Sequence, residues 1–174
     1  PCEGRDPRFY ASVLYDGAVW MGRATEVFQG GRDHKDYTGG GGSAWVASET
    51  GYYLRKFMDE SIPPTGTSDK PTNPWVYFRY AEILLNYAEA KFETGDEQTA
   101  RQYLNLIRNR KSVQMPEITD TGEELRERIR RERRIELAFE QHRFYDVRRW
   151  KIADQTEIKP VLSMEIVKES DGSK

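Results

Sequence analysis

The sequence is poor in the side chains that most often build metal centres and covalent cross-links. Its 174 residues include one cysteine and two histidines, and no apolar run approaches the length of a membrane span. Because Cys2 is the only cysteine, the sequence excludes an internal disulfide framework and a cysteine-based metal cluster. We expect Cys2 to be a partly buried free thiol. His34 and His142 lie far apart in the sequence, without the His-x-x-x-His spacing of a metal site. We therefore expect neither a metal nor another cofactor.

The sequence also lacks an excess of charge of either sign. Its 27 basic residues are balanced by 29 acidic residues, which disfavours nucleic acid as a partner. The arginine-rich stretch from Glu123 to Lys151 contains ten basic and seven acidic residues, interleaved along the chain. A phosphate-binding face would carry one sign of charge and little else, so we interpret this stretch as an ion-paired helix.

The patterns that mark common catalytic sites are absent as well. No Gly-x-Ser-x-Gly elbow occurs, and the run Gly39 to Ser43 lacks the Lys-Ser/Thr pair of a phosphate-binding loop. Glu132, Glu136 and Glu140 share one helical face, but each has an arginine within one turn. Such neighbours keep all three carboxylates ionised, whereas acid/base catalysis needs two groups with separated pKa values. We predict no catalytic residue and no enzymatic activity.

The first recognisable pattern is a short apolar alternation. Residues Phe9 to Tyr15 alternate in polarity, which predicts a strand. Residues 16–74 follow, and their glycine runs and prolines predict a long irregular region because they interrupt helices and long strands alike. Loops of this length in compact domains are more often functional or disordered than idle connectors.

From Asn73 onward the apolar spacing becomes helical. We expect Asn73 to cap a first helix that ends at Gly95, and Asp96 to cap a second helix that ends before Pro116. Ala88 and Ala100, flanked by leucines, match the small contact positions of a tetratricopeptide repeat. The expected inward residues of this hairpin are Tyr77, Ala81, Leu84, Ala88, Phe92, Ala100, Tyr103, Leu104 and Ile107.

A third helix is predicted from Leu125 to about Trp150, after a capping box formed by Thr121 and Glu124. Its expected inward residues are Leu125, Ile129, Ile135, Ala138 and Phe139. The predicted fold class is therefore mainly α: a helical hairpin of tetratricopeptide-like type plus a long C-terminal helix, with a short strand and a long Gly/Pro-rich loop region. We divide the chain into a strand and loop-rich segment at 1–74, a helical segment at 75–152 and a tail at 153–174.

Three blocks of sequence resemble one protein family, in the order in which that family has them. They are Asp6 to Tyr15 (DPRFYASVLY), Arg79 to Lys91 (RYAEILLNYAEAK) and Glu132 to Trp150 (ERRIELAFEQHRFYDVRRW). The chain thus resembles the C-terminal portion of a SusD-like (RagB/SusD) nutrient-binding outer-membrane lipoprotein. Family members often have glycine where this chain has Gln141, which leaves open whether the third helix kinks there.

The resemblance implies a function in nutrient uptake. It implies a surface-exposed protein of the cell outer membrane that binds an oligosaccharide or other glycan and delivers it, without chemistry, to a SusC-like TonB-dependent transporter. Membrane attachment would occur through a lipid anchor in the N-terminal part of the family's sequences, so Cys2 is not expected to be the anchor. The resemblance also implies a structural ion-pair network, whose members here are Glu132, Arg133, Glu136, Glu140 and Arg143.

Ligand contacts are expected in the irregular region, because aromatic rings stack on the apolar faces of sugars. Six aromatic residues lie between Asp16 and Tyr53, among glycines and small polar residues. Tyr37 and Trp45, beside the glycine run, are the favoured ligand-binding residues, and Trp20 is a weaker candidate. Taken singly, each of these rings is more often a core residue than a ligand contact.

Two other functions stay open on the residues alone. A helical-repeat adaptor would use the hairpin to grip another protein, and a pull-down would distinguish it from a glycan binder. A glycan-cleaving enzyme would need an unpaired carboxylate dyad, and the sequence offers none.

Overall fold

The computed structural model describes residues 2–37, 47–62, 71–170 and 172. The chain forms two compact units, and each is described by itself. The helical unit comprises residues 5–9 and 74–158, and the loop unit comprises residues 1–4, 10–73 and 159–174. The elements are, in chain order, α1 Pro7–Ser12, β1 Val13–Leu14, β2 Val19–Trp20, β3 Arg23–Ala24, β4 Tyr53–Leu54, α2 Tyr80–Glu93, α3 Glu97–Arg108, α4 Gly122–Glu136, α5 His142–Arg149 and α6 Ala153–Thr156. The predicted mainly α class is confirmed.

The first element is a helix, so the prediction of a strand over Phe9 to Tyr15 is wrong for its first half. Pro7 is the first residue of α1, where its fixed φ suits the helix and its missing amide costs no hydrogen bond. The Asp6 carboxylate accepts a hydrogen bond of 2.9 Å from the Arg8 amide, as a helix N-cap does. Asp6 and Pro7 thus form a helix-start signal. The sequence prediction missed it because the apolar alternation that follows indicates a strand.

Short antiparallel pairs organise the loop unit. Strand β1 pairs with β4, with Val13 opposite Leu54, and β2 pairs with β3, with Val19 opposite Ala24. The region predicted to be irregular therefore has two-residue strands, too short to leave a periodic signal in the sequence.

The C-terminal stretch adds backbone hydrogen bonds to the loop unit. The Met164 amide donates to the Thr50 carbonyl at 3.1 Å, and the Gln29 amide donates to the Ile166 carbonyl at 2.7 Å. Gly51 has a φ of +76°, and a Cβ on it would lie 2.8 Å from the Met164 carbonyl oxygen. Because no side chain fits so close to that oxygen, glycine is required where the two segments pass.

Helices α2 and α3 form the predicted hairpin. Gly95, with a φ of +86°, follows α2, and the Asp96 carboxylate accepts from the Thr99 amide at 3.1 Å at the start of α3. Ala88 and Ala100 are both fully buried in the core, as the repeat pattern predicted. The core cluster also contains Leu84, Leu85, Phe92, Leu104, Ile107, Ile118, Leu125, Ile129 and Leu137.

Helix α2 begins later than predicted. It starts at Tyr80 and not near Asn73, and Tyr77 is 78% exposed instead of facing the core. Arg79 has an extended backbone, and its guanidinium is bound to the side chains of Glu136 and Glu140. Helix α2 therefore starts directly after Arg79, whose side chain is fixed by Glu136 and Glu140.

The third predicted helix is two helices. Helix α4 ends at Glu136, and α5 starts after a turn at residues 137–141 in which Phe139 and Gln141 have φ values of +65° and +66°. A residue other than glycine pays a steric penalty in this left-handed region, so the turn is strained. Phe139 is 51% exposed, which corrects its predicted inward position.

The start of α4 is also capped differently from the prediction. Thr121 is the N-cap residue, but its side chain makes no capping hydrogen bond. Instead, the Gly122 amide donates to the Glu97 carboxylate at 3.0 Å. A side chain from α3 therefore satisfies the helix end that the local capping box was expected to satisfy.

Candidate functional site

The most deeply buried carboxylate of the predicted network is that of Glu132. Its side chain is 1% exposed and lies on the buried face of α4, together with Leu125 and Ile129. Arg8 Nη1 donates to Oε1 at 2.5 Å, and Arg108 Nη1 donates to Oε2 at 2.8 Å. Both oxygens of this carboxylate therefore have a guanidinium partner.

Glu136, one turn further along α4, binds three arginines. Its Oε2 accepts from Arg8 Nη1 at 2.9 Å and from Arg110 Nη2 at 2.7 Å, and its Oε1 accepts from Arg79 Nη1 at 2.7 Å. Arg79 also donates to both oxygens of Glu140, each at 2.7 Å, and to the Glu136 carbonyl at 2.6 Å. Arg79 therefore joins the start of α2 to the turn between α4 and α5.

The charges of this cluster balance. Four arginines meet four carboxylates, namely Arg8, Arg79, Arg108 and Arg110 with Asp6, Glu132, Glu136 and Glu140. Burial alone would raise the pKa of Glu136, but hydrogen bonds from Arg79 and Arg8 outweigh it and hold that pKa below the ordinary value. A carboxylate kept ionised in this way suits a structural role better than proton transfer.

Arg133 and Arg143 make separate ion pairs. Arg133 Nε donates to both carboxylate oxygens of Asp146, at 2.9 and 2.7 Å, and its Nη1 donates to Asn86 Oδ1 at 2.5 Å. Arg143 binds Glu157 at 2.7 Å near the surface. The structure thus brings Glu132, Glu136 and Glu140 together through shared arginines, places Arg133 in a neighbouring buried pair and leaves Arg143 outside the cluster.

Sequence reasoning missed the arginines that join the carboxylates. It considered only neighbours along the third helix, whereas Arg8, Arg79, Arg108 and Arg110 come from elsewhere in the chain. A signal was available for two of them, because Arg8 and Arg79 lie inside the other two blocks of family resemblance.

In the loop unit, Tyr53 ties together the two segments that flank residues 38–46. Its hydroxyl donates to the Asp33 carbonyl at 2.6 Å and accepts from the Ser48 amide at 3.2 Å. Lys35 and Glu49 form an exposed ion pair of 3.0 Å between the same two segments. These two segments, which we call the stems, are therefore held close to each other.

Asp33 organises the first of these stems. It receives two hydrogen bonds of 2.6 Å from Arg23 and one of 2.8 Å from the Glu26 amide. The hydrogen bonds from Arg23 are the main reason that the pKa of Asp33 lies below its ordinary value. A single ionised carboxylate therefore fixes both a neighbouring strand and a turn.

Two of the three predicted ligand-binding aromatics fall within the described residues of the loop unit. Tyr37 is half-buried at the end of the first stem, where its amide donates to the His34 carbonyl at 3.1 Å. Trp20 is half-buried on β2, with the Arg55 guanidinium 5.9 Å from its ring centroid. Trp45 lies outside the described residues.

A pocket of about 410 Å³ opens beside the turn between α4 and α5, and sequence reasoning did not foresee it. Phe139, Phe144 and Tyr145 line it, and each of these rings is more than half exposed. Arg134 and Arg143 line it as well. Phe139 lies in the left-handed turn after α4, and Phe144 and Tyr145 lie on α5. This pocket is a second place where a ring-shaped ligand could stack.

Two kinds of feature were not found in the described part of the chain. None of its helices is long and apolar enough to cross a bilayer. No group of three or more histidine, cysteine, aspartate or glutamate side chains within these residues could hold a metal ion.

Comparison with known proteins gives one consistent family. A family model described as "SusD family" matches residues 1–173. SusD-like protein P2 of Formosa agariphila is 38% identical over 89 residues, which cover 47% of this chain and 18% of that protein. SusD-like protein P25 of the same organism is 39% identical over 80 residues, which cover 44% of this chain and 15% of that protein.

Solved structures agree with these relatives. A SusD-like protein from Bacteroides fragilis aligns with a TM-score of 0.74 and 42% identity, over 87% of this chain and 29% of that chain. A SusD-like carbohydrate binding protein from the same species aligns with a TM-score of 0.66 and 36% identity, over 87% of this chain and 30% of the other. The chain therefore spans less than a fifth of the two Formosa relatives and less than a third of the two solved structures.

Proposed function

Because the chain belongs to the SusD family, we propose that it takes part in binding an oligosaccharide or other glycan at the bacterial cell surface. The observation that supports this proposal most directly is its 36% identity to a SusD-like carbohydrate binding protein across 87% of the chain. In this proposal the bound glycan passes to a SusC-like TonB-dependent transporter in the outer membrane. The protein carries out no chemistry on it.

We propose residues 38–46, between the two tied stems, as the contact with the glycan. Tyr53 and the Lys35–Glu49 pair hold the stems together, and the sequence places four glycines at 39–42, a residue type that would permit close approach of backbone to a ligand. Tyr37 and Trp45 would supply the stacking surface, and Trp20 would be a secondary contact.

The arginine–carboxylate cluster supports binding without catalysis. Each carboxylate of Glu132, Glu136 and Glu140 accepts hydrogen bonds from guanidinium groups on both oxygens. Hydrolysis of a glycosidic bond needs one carboxyl that can donate a proton and one that can attack or activate water. Three carboxylates whose oxygens are all bound to guanidinium groups fit neither role.

A glycan array followed by titration calorimetry tests this proposal. We expect the protein to bind at least one glycan, and Trp45→Ala to weaken that binding by about 1 to 3 kcal/mol, which is the scale of one large apolar contact. The matched control is Phe144→Ala, which removes an exposed ring from the pocket beside α5 and should leave the affinity unchanged.

Three outcomes would count against the proposal in different ways. An array without any bound glycan would argue against carbohydrate as the ligand. A loss of affinity in Phe144→Ala but not in Trp45→Ala or Tyr37→Ala would move the site to the pocket. Release of shortened glycan products during incubation would show that the protein is an enzyme.

A further inference from the structure

The pocket beside the turn between α4 and α5, which we call the turn pocket, lies entirely within the helical unit. Its volume of about 410 Å³ falls in the range of about 300 to 1,000 Å³ that is typical of small-molecule sites. Three of its lining side chains are exposed rings: Phe139 at 51%, Phe144 at 56% and Tyr145 at 66%. Single exposed apolar residues are common on protein surfaces, whereas a group of them around a cavity indicates a binding site.

The two rings on α5 are held in position by contacts within that helix. Phe144 and Tyr145 lie edge to face, with 5.2 Å between their ring centroids and 80° between their planes. The Arg148 guanidinium stacks on Phe144, 3.5 Å from the ring centroid, and donates a hydrogen bond of 2.7 Å to the Phe144 carbonyl. Rings fixed in this way lose little freedom on binding, so the turn pocket is preorganised for a flat partner.

The charged side chains of the turn pocket are mostly positive. Arg133, Arg134 and Arg143 line it, against one carboxylate, that of Asp146. Asp146 is buried and accepts hydrogen bonds from Arg133 and Arg149, so its charge is already compensated. The lining therefore has three guanidinium groups for one carboxylate, an excess of two positive charges, which favours an anionic ligand.

Two of these arginines are accessible at the surface. Arg134 is exposed, and no side chain in the described part of the chain accepts a hydrogen bond from it. Arg143 binds Glu157 at 2.7 Å, in a pair whose side chains are 28% and 46% exposed. The pKa of Glu157 lies below its ordinary value because Thr156 and Arg143 donate hydrogen bonds to its carboxylate, and the charge of Arg134 adds to this effect. The two arginines therefore already stabilise one carboxylate, which does not itself line the turn pocket.

We propose that the turn pocket binds a sugar ring that carries a carboxylate, which is the chemistry of a hexuronate. The exposed rings stack on the apolar face of the sugar, and the planar guanidinium of Arg134 meets the carboxylate with its fork of donors. A neutral sugar uses the rings but leaves the excess positive charge without a counter-charge. This site is additional to the contact proposed at residues 38–46, and it rests on the geometry and charge of the turn pocket alone.

Titration calorimetry with matched pairs of ligands tests this proposal. The probes are short oligomers of galacturonate, glucuronate and mannuronate, each beside its methyl ester, which keeps the ring and removes the charge. At neutral pH we expect at least one of the acids to bind. Its ester should bind roughly fivefold more weakly, because a hydrogen bond to a charged group is stronger than one to a neutral group.

Two variants of exposed residues should weaken the binding of that acid. Arg134→Gln removes the accessible guanidinium and Tyr145→Ala removes a ring, and each should lower the affinity roughly fivefold. The matched control is Arg131→Gln, which removes an exposed arginine from the same helix as Arg134, outside the turn pocket. The affinity of this control should stay unchanged, which separates a local contact from an effect of net charge.

Glu157→Gln should have the opposite effect. The substitution releases Arg143 from its carboxylate partner, so that its guanidinium becomes available to the ligand. The affinity for the acid should therefore rise about twofold or more, on the scale of one surface ion pair, while the affinity for the ester stays the same. A fall in the affinity for the acid would contradict the assigned competition between Glu157 and the ligand, and would overturn the proposal.

Several other results would overturn the proposal. They are a failure of all three acids to bind, equal binding of an acid and its ester, and equal losses of affinity in Arg131→Gln and Arg134→Gln. A loss in Trp45→Ala without a loss in Arg134→Gln would also overturn it, because the acid would then bind at residues 38–46 and the proposed glycan contact would stand. A glycan without a carboxylate has no charge for Arg134 to meet, so Phe144→Ala remains the control for glycans of that kind.

Discussion

The carboxylates of the helical unit and those of the loop unit have partners at different distances along the sequence. In the helical unit, Glu132 and Glu136 accept hydrogen bonds from arginines that are 24 to 128 residues away in the sequence. In the loop unit, carboxylates have partners closer in the sequence: Asp33 binds Arg23 and the Glu26 amide, and Asp16 accepts from the Val27 amide. A few buried carboxylates should therefore control the helical unit as a whole, whereas each carboxylate of the loop unit should control only its surroundings.

The largest effect is expected from Glu136→Ala. Removing this carboxylate leaves arginines in the helical unit without a buried counter-charge, and breaking such pairs costs about 3 to 5 kcal/mol. Denaturant unfolding monitored by circular dichroism measures the loss of free energy of unfolding. Glycan affinity per folded molecule should not change.

Glu157→Ala is the matched control for that measurement. Glu157 also binds an arginine, Arg143, but the pair lies near the surface, where its contribution is small. Equal destabilisation by the two substitutions would remove the distinction between buried and surface pairs. Lost glycan binding in a Glu136→Ala protein of normal stability would assign Glu136 a functional role.

A smaller and local effect is expected from Asp33→Ala. The substitution removes the acceptor for the Glu26 amide and for Arg23, which we expect to cost about 1 to 2 kcal/mol. Hydrogen exchange should accelerate for amides near Glu26 and stay unchanged in α2, α3 and α4. Asp36→Ala, which alters a more exposed carboxylate two residues beyond His34, is the control and should leave both units unchanged. Faster exchange throughout the helical unit would contradict the local character of the loop unit.

The strained turn between α4 and α5 gives a stabilising prediction. Gln141 has a φ of +66°, where glycine pays no steric penalty, so Gln141→Gly should raise the free energy of unfolding by about 1 kcal/mol. Gln102→Gly, the same substitution in the interior of α3, should lower it by about 1 kcal/mol. The test is whether the two substitutions change the free energy of unfolding in opposite directions. A loss of stability in both variants would show that the turn is not strained.

The smallest effect is the loss of stability that we expect at acidic pH, where Glu136 takes up a proton. The pKa of Glu136 in the folded protein lies below the ordinary value of 4.5, so its ionisation stabilises the fold above that pH. This stabilisation is lost as the pH falls from 4.5 through the folded-state pKa. Between neutral pH and about pH 3, the parent protein should therefore lose more stability than Glu136→Gln, which has no proton to bind at this site. Parallel stability curves for the two proteins would show that Glu136 does not carry this dependence.

The sequence was sufficient for the features that repeat with helical spacing. Ala88, Ala100, Leu104 and Ile129 were predicted to face inward and are buried, because a stripe of apolar residues has one plausible orientation in a helix packed on others. Gly95 and Asp96 were recognised as stop and cap for the same reason: each acts on its own helix. Local signals were therefore enough for the hairpin.

The sequence was insufficient where a residue depends on a distant partner. Arg79 determines where α2 starts through its bonds to Glu136 and Glu140, and no pattern around Asn73 could reveal that. The Gly122 amide donates to the Glu97 carboxylate, and the Thr121 side chain makes no capping hydrogen bond, contrary to the prediction. The two-residue strands of the loop unit are too short for periodicity. The proposed glycan contacts at Tyr37, Trp45 and Trp20 remain predictions, because aromatic composition alone does not distinguish a platform from a core.

The position of Arg8 also sets an order of events during synthesis. Its carboxylate partners Glu132 and Glu136 follow it by 124 and 128 residues, so a growing chain exposes Arg8 long before either partner has been translated. Until then Asp6, two residues away, is the partner at hand. Contacts between residues so far apart form slowly, since a long loop must close before they stabilise anything. The buried cluster is therefore expected to be among the last parts of the helical unit to assemble, when α4 arrives at an Arg8 that Asp6 has already oriented.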